Sequence, residues 1–192
     1  MKIFYFDVET TGLDPETSGI YEFAYIVEID GKVVEEAVEF INPGDVQVSD
    51  FTIKLFENQG RDLGELLTYQ SKETFYKKLL KVLDKYVNKY NKADKFTICG
   101  YNVEFDRRHL QALFLSFNNT YLPSYFRAPY LDVMVFATYV FKDNLHRFPK
   151  FSLGTLCELM EIEIDAHNAL SDIQATRNLQ LKLENHIEIN IN

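Results

Sequence analysis

Apolar and polar positions alternate along the first 41 residues and then recur with helical spacing. Residues 2–8 form an apolar, aromatic run of strand character, closing on Asp7-Val8-Glu9-Thr10-Thr11-Gly12-Leu13. Over 20–29, Tyr21, Phe23, Tyr25, Val27 and Ile29 share one face. Asp30-Gly31 is a two-residue hairpin turn, and 33–41 returns as a strand with Val34, Val38 and Phe40 on one face. Asn42-Pro43-Gly44 ends it. Residues 45–71 show no clean period and read as a loop with short helical pieces that could cover a site. A helix capped by Ser71 is expected over 71–90, with Phe75, Leu79, Val82, Leu83, Tyr86 and Tyr90 as its apolar stripe. Lys78, Lys81, Lys85, Lys89 and Lys92 form a second stripe, read as a solvated face. A short strand over 96–99 stops at Gly100, and a helix follows to about 117. A short strand is expected over 130–132, a helix over 133–141, a basic loop over 142–150 and a helix over 151–160. The last helix is expected over 170–183, with a peripheral tail over 184–192. Three strands followed by alternating strands and helices describe an α/β domain with a mixed sheet.

Composition narrows this picture without changing it. The 192 residues are 46% hydrophobic, enough for one folded domain with a substantial core. Phe (16) and Tyr (12) are abundant while Trp is absent, so aromatic rings are expected to fill that core. No apolar stretch is long enough to span a bilayer, and the N-terminus lacks the pattern of a secretory leader. Cys99 and Cys157 have no metal-ligand spacing and read as buried free thiols in a reducing compartment, so a cytoplasmic location is expected. The net charge of −9 argues against non-specific binding to nucleic acid, which rests on Lys and Arg. An acidic metal site adds negative charge that its cations restore, and a local basic patch can still guide a phosphate backbone.

The candidate chemistry begins with Asp7 and Glu9. Two residues apart on a strand, they point the same way. Two like charges at the end of a buried strand repel each other and are costly to desolvate. A hard cation such as Mg²⁺ between them removes that cost. Taken alone, a D-x-E at a strand end reads as two solvated acids at a turn. Taken alone, Asp106 reads as a helix-start residue, His167 as a loop histidine and Asp172 as a solvated acid. On the last helix, however, Asp172 shares a face with Ala175, Thr176, Leu179 and Leu183, and an inward carboxylate needs a partner. His167 lies five residues earlier, in the turn before that helix.

Asp7, Glu9, Asp106, His167 and Asp172, in this order and spacing, resemble the DEDDh 3′–5′ exonucleases along nearly the whole chain. The first motif, Asp7-Val8-Glu9-Thr10-Thr11-Gly12-Leu13, is similar to the family's D-x-E-T-T-G-L and most resembles the proofreading epsilon subunits of bacterial DNA polymerase III, with ribonuclease T and oligoribonuclease more distant. The second motif departs from many members in carrying Tyr101 where they carry His. The resemblance implies a ribonuclease H-like fold over 1–184, with a central mixed five-stranded sheet whose first three strands are antiparallel neighbours, and a short tail over 185–192. It implies two divalent cations, Mg²⁺ or Mn²⁺, with Asp7 bridging both, Glu9 and Asp172 on one and Asp106 on the other. His167 would be the general base, since an imidazole titrating near about 6.5 suits proton transfer around neutrality. Thr10, Thr11, Gly12 and Leu13 would seat the terminal nucleotide, Leu13 as a wedge, with Phe105 as an apolar wall and Asn102 bracing the site.

The expected function is hydrolysis of single-stranded nucleic acid from the 3′ end to nucleoside 5′-monophosphates, with DNA processing or proofreading favoured. An exoribonuclease and a non-catalytic nucleic-acid or polymerase-binding module are the alternatives. The expected partners are 3′ ends of single-stranded DNA or RNA, with a DNA polymerase as a further candidate and no membrane. Lys142, Arg147 and Lys150 are the better candidates for phosphate contacts, while Arg107 and Arg108 read as salt-bridge residues. His109, His146 and His186 read as structural or surface groups.

Overall fold

The computed structural model describes residues 1–191, with side chains through Asn185. The expectation for His186 lies outside the described side chains. Strand β1 (Lys2–Thr10) is central. It pairs antiparallel with β2 (Ile20–Ile29), which pairs antiparallel with β3 (Lys32–Asn42). On its other side β1 runs parallel to β5 (Phe96–Gly100), and β5 to the edge strand β6 (Phe126–Asp132). The expected five-stranded sheet gains a sixth strand, the two-residue β4 (Gln70–Ser71) beside β3. Asp30 and Gly31 both adopt positive φ (50° and 78°), as a two-residue hairpin matched to the twist of its strands requires.

Period two divides the sheet into two faces. Phe4, Phe6 and Val8 of β1, with Phe23, Tyr25 and Val27 of β2, pack under α2 (Lys72–Tyr86) and α3 (Val103–Ser116). Ile3 and Tyr5, with Ala24, Ile26 and Cys99, pack under α4 (Val133–Val140), α5 (Leu153–Leu159) and α6 (Ala169–Ile191). Because both faces are covered, β1 reads as an apolar run rather than as clean alternation. Asp7 and Glu9 continue the row of Ile3 and Tyr5, so both acids emerge on the α6 side of the sheet. Cys99 and Cys157 are buried free thiols, as expected.

Several boundaries differ from those read off the pattern. The stretch over 45–71 holds a nine-residue helix, α1 (Asp50–Asn58), and a 3₁₀ helix (Leu63–Thr68). Helix α2 is capped by Ser71, whose hydroxyl accepts from Thr74 N, but it ends at Tyr86, and Tyr90 stands 88% exposed instead of joining the apolar stripe. Lys78 and Lys85 of that helix pair with Glu39 and Glu35 of β3, an exposed structural use of the lysine face. Strand β6 begins four residues before 130, because pairing with β5 extends it. The basic loop over 142–150 contains a 3₁₀ turn (Lys142–Arg147), and α6 continues past Leu183. Among the described residues, no helix is long and apolar enough to cross a membrane.

Asp132 joins two helix starts at the end of β6. Its carboxylate accepts from the backbone N–H of Asn102 (3.1 Å) and Val103 (3.2 Å) at α3 and of Met134 (2.9 Å) at α4. Each bond satisfies a donor that a helix N-terminus otherwise leaves unpaired. Asp132→Ala removes both caps together, and urea denaturation should show a loss of about 2 kcal/mol at about 1 kcal/mol per cap; a loss under about 0.5 kcal/mol would mean that solvent replaces the carboxylate.

Candidate active site

The carboxylates of Asp7, Glu9 and Asp172 converge from the two ends of the chain. Each contributes an oxygen to a group in which all atoms lie within 4.8 Å of one another. β1 supplies the first two, and the first turn of α6 supplies the third. Asp172 Oδ1 is buried and has no hydrogen-bond partner. Among the described residues, no Lys or Arg forms an ion pair with any of the three.

Asp106 reaches the same end of β1 from the opposite face of the sheet. β5 stops at Gly100, so the N–H of Val8 has no strand partner there, and Asp106 Oδ1 accepts it at 3.1 Å. This requires α3 to start close against β1. A Cβ on Gly100 would stand 3.2 Å from Phe6 O and 3.0 Å from Val103 Cγ2, which is why the turn carries no side chain. Asp106 is buried and lies outside the three-carboxylate group, but its charge acts on Asp7.

Burial and mutual repulsion hold these acids toward their protonated forms. The Asp7 carboxyl is pushed well above the usual carboxylate range, first by burial and then by Asp106, Glu9 and Asp172. Burial likewise pushes Asp106 up, against the Val8 hydrogen bond. Glu9 rises to about 7 through burial and the charges of Asp172 and Glu22. Asp172 rises to about 6 through burial, opposed by the N–H of His167. An orphaned carboxylate oxygen and converging acids with no Lys or Arg ion pair among the described residues are what a divalent cation would complete, so the donor set fits all-oxygen coordination.

His167 lies in the turn before α6 with φ 66°, and its backbone N–H donates to Asp172 Oδ2 at 3.2 Å. Its ring is exposed and meets Phe51 of α1 edge-on, with centroids 6.3 Å apart. Asn168 caps α6 by accepting from Ser171 N (3.1 Å). Thr10 ends β1, and Thr11 to Leu13 form the turn beyond it. Thr11 is buried, exchanging bonds with Gly19, and Thr10 Oγ1 donates to Gly12 O at 2.8 Å. Leu13 is 82% exposed. Asn102 contributes its backbone, in the left-handed region at φ 59°, and its side chain makes no cap bond. Phe105 is half-buried against the ring of His109 (4.5 Å), which itself is buried and bonds Ser18 Oγ and Phe105 O. Arg107 pairs with Glu104, as expected, while Lys142, Arg147 and Lys150 are exposed and removed from these bonds.

Two residues that the pattern did not single out hold the site together. Glu22 stands opposite Glu9 in the β1–β2 register, is buried, and accepts from Ala169 N (3.1 Å) at the start of α6. Tyr21, pushed out of register by an irregularity at Glu9 and Thr10, donates its hydroxyl to Glu9 Oε2 at 3.4 Å. The only signal available was negative: an acid among the inward positions of an otherwise apolar strand. Further along, Arg177 of α6 pairs with the buried Glu28 of β2 (2.7 Å), which holds the helix to the sheet.

A family model described as RNase_T, Exonuclease, matches residues 4–179. No curated protein sequence matches the chain. Among solved structures, E. coli exonuclease I in complex with a dT13 oligonucleotide is similar over 95% of this chain and 40% of its own, at 21% identity and a TM-score of 0.73. E. coli exonuclease I with a dA16 oligonucleotide matches over 100% of this chain and 44% of its own, at 20% identity and a TM-score of 0.72. A product-bound exonuclease I matches over 98% of this chain and 46% of its own, at 19% identity and a TM-score of 0.71. The chain therefore spans less than half the length of these structures, and the likeness to them is one of fold.

The raised acids make a pH-dependent prediction. Without a cation, the folded protein holds protons that the unfolded chain has released, so these groups stabilise it below about pH 4 and that contribution is lost as pH rises through about 7. A divalent cation displaces those protons, so its binding strengthens with pH. The rise in Tm caused by Mn²⁺ should be larger at pH 8 than at pH 5.5, and Asp7→Asn should abolish the rise while stabilising the cation-free protein at pH 8. An equal rise at both pH values would separate cation binding from these carboxylates.

Proposed function

The chain belongs to the RNase_T exonuclease family, in the DEDDh group of 3′–5′ exonucleases, and from that membership we propose that it hydrolyses single-stranded DNA from the 3′ end and releases nucleoside 5′-monophosphates. The observation that carries this reading is the meeting of Asp7, Glu9 and Asp172 oxygens within 4.8 Å, from segments more than 160 residues apart in a chain of 192. The DNA oligonucleotides bound by structures of similar fold favour DNA as substrate.

Asp7, Glu9 and Asp172 would hold divalent cations, Mg²⁺ or Mn²⁺, with Asp106 completing the set from the other side of β1. When bound, a pair of such ions lowers the pKa of a water and stabilises the oxygens that enter and leave phosphorus. His167 takes the proton of the attacking water on its imidazole. Its place in the turn suits this role, because its N–H is tied to Asp172 while its ring stays exposed. The bond from phosphorus to the 3′ oxygen of the preceding nucleotide then breaks, and that oxygen takes a proton from solvent to become the new 3′ hydroxyl of the shortened strand. Thr10 to Leu13 would seat the terminal nucleotide, with backbone held by Thr11 and Gly19. Phe105 would line that seat, and Asn102 would brace it through the turn that starts α3.

A 5′-labelled DNA oligonucleotide should be shortened stepwise in Mg²⁺ or Mn²⁺ and stay intact in chelator, with matched RNA degraded more slowly. Cleavage that persists in chelator would refute a cation-dependent reaction. His167→Ala should lower kcat by about 10²–10⁴-fold with folding retained, and Asp7→Asn should leave no cation-dependent cleavage. A normal rate in the His167 variant would remove it as the base.

A further inference from the structure

We propose that Phe51 is a stacking platform for a nucleobase of the bound strand, placed at the mouth of the acid cluster; the proposal rests on the nuclease reading above. Helix α1 is fastened to the end of β1 on both sides of this residue. Ser49 N donates to Thr11 O at 2.7 Å, and Thr52 Oγ1 donates to Thr10 O at 3.2 Å. The backbone that carries Phe51 is thereby fixed against the turn that follows Glu9. Thr52 and Phe56 bury the inner face of α1, where Phe56 meets Tyr21 edge-on at 5.3 Å. Phe51 takes no part in that packing. Its ring is 67% exposed and lies edge-on to His167, the candidate base.

An exposed aromatic ring beside His167 has a physical use that its neighbours lack. The chain carries a net charge of −9, and two of the cations near this end are engaged, while Lys54 of α1 and Arg108 of α3 are exposed. Arg61 is tied to Glu65 and Tyr69, and Arg107 to Glu104 and Gln111. With a net negative charge and two arginines already paired, phosphate contacts are few here, and grip through the bases would add affinity that they do not supply. Every base offers an apolar face to an aromatic ring, so stacking gives affinity without sequence preference. Leu13, 82% exposed beyond Gly12, offers a second apolar surface at the same end of β1. A base lying on Phe51 would replace the edge contact with His167 and leave that imidazole facing the strand.

The chain has no Trp, so Phe51→Trp installs a single indole, read apart from the 12 Tyr by red-edge excitation. In Ca²⁺, oligo(dT) should quench its emission, while an abasic oligomer of equal length and charge should not. Phe51→Ala should raise KM for oligo(dT) about tenfold with kcat within about twofold, and Phe51→Tyr should restore KM, as loss and return of one stacked base require. Equal responses to the two oligomers, or an unchanged KM in the alanine variant, would overturn the proposal and leave Phe51 as a contact for something other than a base. If the wild type degrades no oligonucleotide, the nuclease reading fails, and the fluorescence titration still decides for or against stacking.

Discussion

Three carboxylates packed within 4.8 Å in a half-buried place are a standing electrostatic cost, and the rest of the molecule is built to bear it. Ionised together and unneutralised, they would repel strongly in a medium of reduced dielectric. The protein supplies no Lys or Arg partner to them among its described residues. It supplies geometry instead. β1 fixes Asp7 and Glu9 on one face, and α6 brings Asp172 against them through Leu179, Leu183 and the Arg177–Glu28 pair. The core thus stabilises an arrangement that the acids alone would not adopt, as is usual where strained groups serve a reaction.

The backbone around the cluster is held by a small set of side-chain and main-chain bonds. Glu22 ties the start of α6 to β2, directly across from Glu9. Asp106 takes the Val8 N–H that β5 leaves unpaired, which sets its own position and closes the end of β1. Asp132 holds the start of α3, from which Asp106 projects one turn later. Each of these carboxylates is satisfied by backbone N–H groups, whereas Asp172 Oδ1 is left without a partner. Asp172 Oδ2 also accepts a backbone N–H, from His167, so only its Oδ1 stands open.

Net negative charge and a nucleic-acid substrate are compatible on these terms. Acids outnumber Lys and Arg by nine, and Lys78, Lys85 and Arg107 serve as partners for nearby carboxylates. Attraction for a phosphate backbone is therefore weak at a distance, and cations held by the cluster would provide it locally. The apolar surfaces of Leu13 and Phe51 at the end of β1 suit the bases rather than the phosphates.

The residues that the amino-acid order determined are those whose evidence is local or periodic. Strand period placed Asp7 and Glu9 on one side, helical period placed Asp172 on the inward face of α6, and Asp30-Gly31 specified the hairpin. The order of Asp106, His167 and Asp172 after them carried the family. The position of helix α1 within 45–71, where short helical pieces were expected, was not legible, because only Thr52 and Phe56 are buried along its nine residues, too few to show a period. Glu22 and Tyr21 escaped because their partners, Ala169 and Glu9, are set by a pairing register and a helix position, and no spacing along the chain encodes either. Tertiary packing alone decided that Asp106 stands apart from the three converging carboxylates, that Arg61 is already engaged, and that Phe51 meets His167. Periodicity can state which way a side chain points, but the distance between two groups on separate elements exists only once their shared core has been packed.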